Sequence, residues 1–221
     1  MSGARAVAST GTGCDPLAEG RACLDDDWLL LHGVSVEPAH RRRGLAMHLD
    51  GARLFNAAVA TAQAAGGDAR SHARTIAGHF DSVSVCFSKG LGAPVGSALC
   101  GSQDFIARAH RWRKMAGGGM RQAGVLAAAG LYAVEHHVER LVDDHQNAAL
   151  LARGMEQLGY RITHPQTSIF FADLPPADCA PLDSWLRAHG VRMRVTPRLR
   201  VVLHLDVSRA DVEQVLALLQ K

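Results

Sequence analysis

The sequence has few of the features that would place a protein in a membrane or on nucleic acid. Its longest apolar run, "AGVLAAAGLYAV" at residues 123–134, is much shorter than the roughly 20 residues of a membrane-spanning helix, so it predicts a buried helix. Aromatic residues make up only 5% of the chain, and no aromatic signature of RNA binding is present. The formal net charge of +3 is too small an excess of positive charge to indicate nucleic-acid binding.

The cysteines do not form a pattern that would indicate a metal site or a disulfide scaffold. No two of them have the spacing of zinc ligands, and their odd number argues against a full set of disulfides. The N-terminal segment "MSGARAVASTGTGC" lacks the charged-then-apolar pattern of an export signal. We therefore expect a cytoplasmic protein without a bound metal. The five cysteines are Cys14, Cys23, Cys86, Cys100 and Cys179.

What the sequence does contain is an alternation of short apolar runs and longer helix-forming segments, which is typical of an α/β protein. Ser208 is a good N-cap for a terminal helix, and Asp211 stands three positions later, where a capping box has its acid. The predicted strands cover residues 45–50, 81–88, 95–101, 168–174 and 198–207. The predicted helices cover residues 52–65, 68–80, 103–114, 182–190 and 208–220, with a long helical stretch over 120–158 that is interrupted near Asp143.

One lysine stands in an unusual setting, in the segment "SVCFSKGLGAPVGS" at residues 84–97. Lys89 follows an apolar, β-branched run that predicts a buried strand, and a turn rich in glycine comes directly after it. A lysine at the carboxyl end of such a strand can form an imine with a carbonyl group when its amine is uncharged. The glycines of the turn would let the backbone approach a cofactor closely.

Asp50 ends another predicted buried strand. A carboxylate there could hold a proton on a ring nitrogen, which is the partner that pyridoxal 5'-phosphate (PLP) needs. Ligands bind at the carboxyl ends of strands in open α/β sheets, so Asp50 and Lys89 could face one pocket. The local sequence alone favours a simpler interpretation, in which Asp50 caps the helix beginning at Gly51 and Lys89 is only a surface residue of a hairpin turn. Both interpretations stay open at this level.

Four blocks of the sequence closely resemble low-specificity L-threonine aldolases, which are PLP enzymes of the aspartate-aminotransferase fold (fold type I). The blocks are "HLDGARLFNAAVA" (48–60), "FDSVSVCFSKGLGAPVGS" (80–97), "RWRKMAGGGMRQAGVLAAAGLYA" (111–133) and "RLRVVLHLDVS" (198–208). The resemblance implies an α/β fold with a partial aspartate-aminotransferase-like large domain and a small α+β C-terminal domain. We expect a poorly organised segment over residues 1–33, the partial PLP-binding domain over 34–140 and the small domain over 141–221.

The resemblance also implies which residues bind the cofactor. Lys89 is expected to be the catalytic lysine, because it matches the lysine that forms an imine with the aldehyde of PLP. Asp50 matches the aspartate that pairs with the pyridine nitrogen. Arg53 matches an arginine near the phenolic oxygen of the cofactor and near the substrate carboxylate, and Arg121 matches a position near the phosphate.

Two further residues are expected to bind the substrate. Arg200 matches an arginine that binds the substrate carboxylate, for which a guanidinium group is well suited. Lys114 matches a position that lines the active-site region, partly across a subunit interface. Arg198, which lies two residues before Arg200 in the same block, is interpreted as a solvated side chain.

The implied reaction is the retro-aldol cleavage of L-threonine and related β-hydroxy-α-amino acids to glycine and an aldehyde. The implied partners are an amino acid substrate and further copies of the chain, as a dimer or tetramer, with no nucleic acid and no membrane. The sequence departs from the family pattern before residue 48, where the phosphate-binding Ser-Gly-Thr segment and the histidine that stacks on the cofactor have no convincing counterpart. An alternative hypothesis is therefore a truncated, catalytically inactive remnant of such an aldolase.

Overall fold

The computed structural model describes the backbone of residues 5–10, 13–25 and 28–36 and all of residues 46–220. The chain divides into two compact units, which are Met1–Val138 (unit 1) and Glu139–Lys221 (unit 2). Among the described residues, no helix combines the length and the apolar character that crossing a bilayer requires. The segment "PAHRRRGL" at residues 38–45 predicts a helix end at Gly44, and this prediction lies outside the described residues.

The first sheet of unit 1 lies in the segment for which the sequence predicts poor organisation. It contains β1 (Arg5–Thr10), β2 (Gly13–Asp25) and β3 (Trp28–Val36). The three strands are antiparallel neighbours in the order β1-β2-β3.

The second sheet of unit 1 contains β4 (His48–Asp50), β5 (Ser82–Cys86) and β6 (Ser97–Gly101), in that order. β4 and β5 run parallel, and the connection between them contains the helices α1 (Leu54–Ala65) and α2 (Ala69–Ala77). β6 is antiparallel to β5. Each of these elements was predicted from the sequence, and their existence is confirmed.

The core of this sheet shows why β5 is stable in a partial domain. Small and branched apolar side chains of β4, β5, α1 and α2 bury one another, and burial of such groups is the main force that stabilises a fold. The sequence predicts a buried strand before Lys89, and this is confirmed for β5, because both of its valines are buried. The buried members are Leu49, Leu54, Ala58, Ala73, Val83 and Val85.

Two further helices complete unit 1, namely α3 (Gln103–Met115) and α4 (Gly124–His136). The sequence predicts that the apolar run in α4 is buried, and this is wrong for most of the helix. Val125 is 80% exposed, and Leu131 and Tyr132 are 60% and 57% exposed. An apolar run indicates that burial of the helix surface would be favourable, but the run does not identify the surface that buries it.

Unit 2 is a small α+β unit. Its antiparallel sheet has the order β7-β8-β9, with β7 at Arg161–Thr163, β8 at Ile169–Asp173 and β9 at Arg198–Val202. Its helices are α5 (Leu141–Gln157), α6 (Pro176–Ala188) and α7 (Arg209–Leu219). The core lies between the sheet and these helices, and its largest fully buried side chains include Phe170, Leu141, Leu186 and Val212.

Some predicted boundaries of helices and strands in and near unit 2 are correct, and others are not. The capping box at the start of α7 is confirmed, because the Ser208 hydroxyl accepts from the Asp211 amide and the Asp211 carboxylate accepts from the Ser208 amide. β9 ends five residues earlier than predicted, since the chain turns where the Val207 amide donates to the His204 carbonyl. The predicted interruption of the long helical stretch lies at residues 137–140, before Asp143.

Candidate active site

The parallel pairing of β4 with β5 brings two predicted site residues to the same edge of the sheet. In the register of this pair Asp50 lies beside Ser84, and both strands run in the same direction. Asp50 is the last residue of β4, and Lys89 follows three residues after the end of β5. The two residues therefore follow the carboxyl ends of adjacent parallel strands, which is where open α/β sheets bind ligands.

Lys89 lies in a turn whose backbone is held by hydrogen bonds. The Gly92 amide donates to the Lys89 carbonyl at 2.9 Å, and the Ala93 amide donates to the Phe87 carbonyl at 2.9 Å. Gly92 and Gly96 have φ angles of 73° and 113°, in a region that side chains other than glycine rarely adopt. The lysine is half-buried. The turn therefore has a defined shape, in contrast to a lysine on a loose surface loop.

Asp50 has an exposed side chain and takes part in the local turn before α1. Its Oδ1 accepts a hydrogen bond from the Ala52 amide at 3.2 Å. The N-cap position of α1 is Arg53, so the simpler interpretation of Asp50 as the helix cap is only partly correct. A carboxylate has about four acceptor positions, and one hydrogen bond leaves most of them available to a ligand.

The glycine after Asp50 is required by the close approach of the two strands. A Cβ atom on Gly51 would lie 2.8 Å from the carbonyl oxygen of Ser84 and 3.0 Å from a methyl group of Val83. Backbone cannot move away from such a contact without separating β4 from β5. The sequence Asp-Gly at this position therefore fixes the spacing of the two strand ends.

Arg53 lies near residues of both strand ends. Its side chain is half-buried, and it lines one small cavity together with Asp50 and another together with Gly90, the residue after Lys89. Each cavity has a volume of about 10 Å³, which is room for about one water molecule. A pyridine ring is too large for either cavity.

The remaining predicted residues of unit 1 lie on the surface around the glycine turn between α3 and α4. Lys114 and Arg121 are both exposed. The Lys114 side chain folds over the turn, because a Cβ atom on Gly119 would lie 2.6 Å from its Cδ atom. The Gly118 amide donates to the Arg113 carbonyl at 2.9 Å. In the described part of the chain, no hydrogen bond or ion pair connects either cation with Asp50.

Arg200 belongs to unit 2, where it lies half-buried in β9 opposite Phe171 of β8. It lines a cavity of about 580 Å³ within that unit, to which Arg192, Arg194 and His204 also contribute. A cavity of this size with several guanidinium groups suits a small carboxylate. Arg198 is exposed and lies over the Phe171 ring at 4.9 Å, as expected for a solvated side chain that stacks on an aromatic group.

Two histidines of unit 1 contact the site region although the sequence interpretation did not assign them to it. His48 Nδ1 lies 2.9 Å from Ser82 Oγ and connects β4 with β5. His137 Nδ1 lies 2.6 Å from the carbonyl oxygen of Leu91, two residues after Lys89. The sequence gives no local signal for either contact, because the partners are 34 and 46 residues apart.

Comparisons with known proteins agree with this arrangement. The profile of a family described as beta-eliminating lyase matches residues 34–175. Low specificity L-threonine aldolase from Escherichia coli K12 is 45% identical over 177 residues, which are 80% of this chain and 51% of that protein. The chain therefore spans about half the length of the curated relatives it matches. These matches confirm the resemblance drawn from the four sequence blocks.

Two solved structures show the same fold. Threonine aldolase from Leishmania major aligns with a TM-score of 0.65 and 21% identity, over 82% of this chain and 53% of that one. A high-resolution structure of SPT with the PLP internal aldimine aligns with a TM-score of 0.57 and 18% identity, over 84% of this chain and 50% of that one. The expectation of a partial PLP fold type I architecture is confirmed by these alignments.

Proposed function

Because the chain belongs to the beta-eliminating lyase family, we propose that it performs the PLP-dependent retro-aldol cleavage of L-threonine and related β-hydroxy-α-amino acids to glycine and an aldehyde. The observation that supports this most strongly is the parallel register of β4 and β5, which sets Asp50 and Lys89 at the same edge of the sheet. The names of the curated relatives support the choice of substrate.

The residues at this edge fit the cofactor. A half-buried primary amine follows β5, an exposed carboxylate ends the adjacent β4, and an arginine lines one cavity with that carboxylate and another with the residue after the lysine. The backbone approaches closely at Gly51, where no side chain stands between the strands. When bound, PLP supplies an electron sink for the pair of electrons that is released when the Cα–Cβ bond of the substrate breaks.

Each residue has a distinct role in this proposal. Lys89 Nζ would hold the cofactor at its aldehyde carbon, and the lysine amine, when free, would carry a proton to or from the substrate. The Asp50 carboxylate would accept the N–H of the pyridine ring and would keep that nitrogen protonated, because a negative charge beside it favours the charged ring. Arg53 orients the phenolic oxygen and the substrate.

The outer residues are proposed to bind the charged ends of the two ligands. Arg200 binds the α-carboxylate through two parallel hydrogen bonds. Lys114 and Arg121 provide positive charge for the carboxylate and the phosphate, respectively. Both are exposed in the described structure, so these assignments depend on a surface that becomes covered when the protein assembles.

We also propose that the protein acts in the cytoplasm as a homo-oligomer, either a dimer or a tetramer. The support for assembly is the exposed apolar surface of α3 and α4, which includes Trp112 at 68% and Val125 at 80% exposure. Large exposed apolar surfaces of this kind are typical of protein interfaces. Size-exclusion chromatography with light scattering measures the oligomeric state directly.

The central experiment mixes the purified chain with PLP, reduces it with borohydride and maps the pyridoxyl group by mass spectrometry. We expect the label on Lys89 in the wild type and no label at that site in Lys89→Ala. We also expect glycine release from L-threonine, which the variant should lack. Label without glycine would support the inactive remnant, and a folded protein that takes up no label would refute the PLP proposal. Lys221→Ala is the matched control, because this C-terminal lysine has no role in the proposed site and should not be needed for labelling of Lys89.

A further inference from the structure

The C-terminal half of α4 contacts the lysine turn at two separate points. The first is a close approach at Gly130, where an added Cβ atom would lie 3.3 Å from the ring of Phe87, two residues before Lys89. The second is the hydrogen bond from His137, the C-cap residue of α4, to the carbonyl of Leu91, two residues after Lys89. The helix therefore contacts the chain on both sides of the lysine.

The hydrogen bond from His137 is well placed to fix the turn. The carbonyl oxygen of Leu91 can only accept, so Nδ1 of the ring carries the hydrogen. Leu91 is 3% exposed, and His137 is half-buried. A carbonyl in such a position loses its hydrogen bond to water when the turn closes, and leaving it without a donor would be costly. Closing the turn in this shape therefore depends on the histidine.

The end of α4 is itself held in place by another part of unit 1. The guanidinium of Arg70 in α2 donates to the carbonyl of Val134 at 3.1 Å and to the carbonyl of Glu135 at 3.4 Å. These carbonyls belong to the last turn of α4, where they have no partner within the helix and where a cation is favourable. The helix end that carries His137 is thus anchored to the helix packed beside the sheet.

We propose that His137 is a positioning residue, which holds the turn after Lys89 in the shape that presents the amine to the cofactor. This inference rests on the proposed function of Lys89. The residue acts through the Leu91 carbonyl and touches neither the cofactor nor the substrate in this proposal. Its effect is on the fraction of the protein in which the lysine is in place, and a change in that fraction changes the apparent affinity by the same factor.

The test uses a matched pair of variants. In His137→Asn the amide nitrogen is bonded to Cγ, like Nδ1 of histidine, and it can still donate to the carbonyl. In His137→Leu the side chain has the same branching at Cγ and no donor. His136→Leu is the control. This exposed neighbour contacts Glu135 and Tyr132, which do not belong to the lysine turn. Thermal unfolding of all variants establishes that each one folds.

Two measurements on these variants separate the inference from the proposed function. Hydrogen exchange of the Gly92 and Ala93 amides reports the stability of the turn without any cofactor. We expect exchange about fivefold faster in His137→Leu, which corresponds to the loss of one hydrogen bond, and wild-type rates in His137→Asn and His136→Leu. The apparent affinity for PLP, measured by labelling Lys89, should fall in His137→Leu only, by the factor by which the closed fraction of the turn falls.

Each possible outcome decides one question. If the wild type takes up no PLP, the proposed function fails, whereas the exchange data still test the contact between His137 and the turn. If exchange changes while PLP affinity stays equal in all proteins, His137 has only a structural role and the inference is overturned. It is also overturned if His137→Asn behaves like His137→Leu, because the donor would then not be the cause.

Discussion

Stability should depend on pH through His145, a histidine buried in unit 2. The ring lies on α5 and is 8% exposed. Burial lowers its pKa from 6.5 to about 4, because the charged ring loses its hydration. Below pH 6.5 the unfolded chain binds a proton that the folded unit does not bind until about pH 4. The contribution of His145 to the free energy of unfolding is therefore fully present above pH 6.5 and is lost as the pH falls towards 4.

The size of this stability change follows from the shift in the pKa of His145. A difference of 2.5 between the two pKa values corresponds to about 3 kcal/mol, at 1.36 kcal/mol for each unit. About 2 kcal/mol of this should be lost between pH 7 and pH 4.5. Asp144 acts in the opposite direction, since burial raises the pKa of its carboxyl against the effect of Arg140. The contribution of His145 must therefore be isolated by comparison with a variant.

The assay follows urea unfolding of unit 2 by NMR signals of its core methyl groups, at pH 7 and pH 4.5, in the wild type and in His145→Gln. We expect the wild type to lose about 2 kcal/mol more than the variant between these pH values. An NMR titration of the folded protein should show a midpoint near 4 for the His145 ring. His110→Gln, at an exposed position, should leave the pH dependence unchanged. A midpoint near 6.5, or an equal pH dependence in wild type and His145→Gln, would refute the reasoning.

Three further substitutions test the strand pair, the ion pair and the capping box. Gly51→Ala should destabilise unit 1 by about 1–3 kcal/mol in urea unfolding, since its methyl group would meet the backbone of β5 at 2.8 Å; unchanged or higher stability would contradict this. Arg140→Met should destabilise unit 2 by about 3 kcal/mol, because it leaves the fully buried Asp144 carboxylate without that partner. Much of this loss should be recovered when Asp144→Asn is added. Ser208→Ala should cost about 1 kcal/mol, and thermal unfolding at neutral pH would detect it.

The sequence was sufficient for the elements whose signals are local. β5 was predicted because an apolar, β-branched run favours a buried strand, and Val83 and Val85 are buried in the structure. The start of α7 was predicted because a capping box needs only residues three positions apart. The lysine turn was predicted because its glycines adopt positive φ angles that other residues avoid.

Other features could not be predicted because their causes lie far apart in the sequence. β7 has three residues with the pattern Arg-Ile-Thr, too short for any periodicity, and it exists because β8 offers an edge to pair with. The exposure of α4 depends on which surfaces are present to cover it, and an apolar run does not encode this. The contact of His137 with Leu91 joins residues 46 positions apart, so no local sequence pattern predicts it.

The two faces of α4 connect assembly with the lysine turn. One side of the helix contacts Phe87 and Leu91, while the other side exposes apolar groups such as Val125. Tyr132 joins the two sides, because it is 57% exposed and its ring lies 5.4 Å from the ring of His137. Any partner that covers the exposed face would restrict α4 and thereby favour the closed shape of the turn. By linkage, association and PLP binding should then strengthen each other, so the fraction of Lys89 labelled at a fixed PLP concentration should rise with the concentration of the protein.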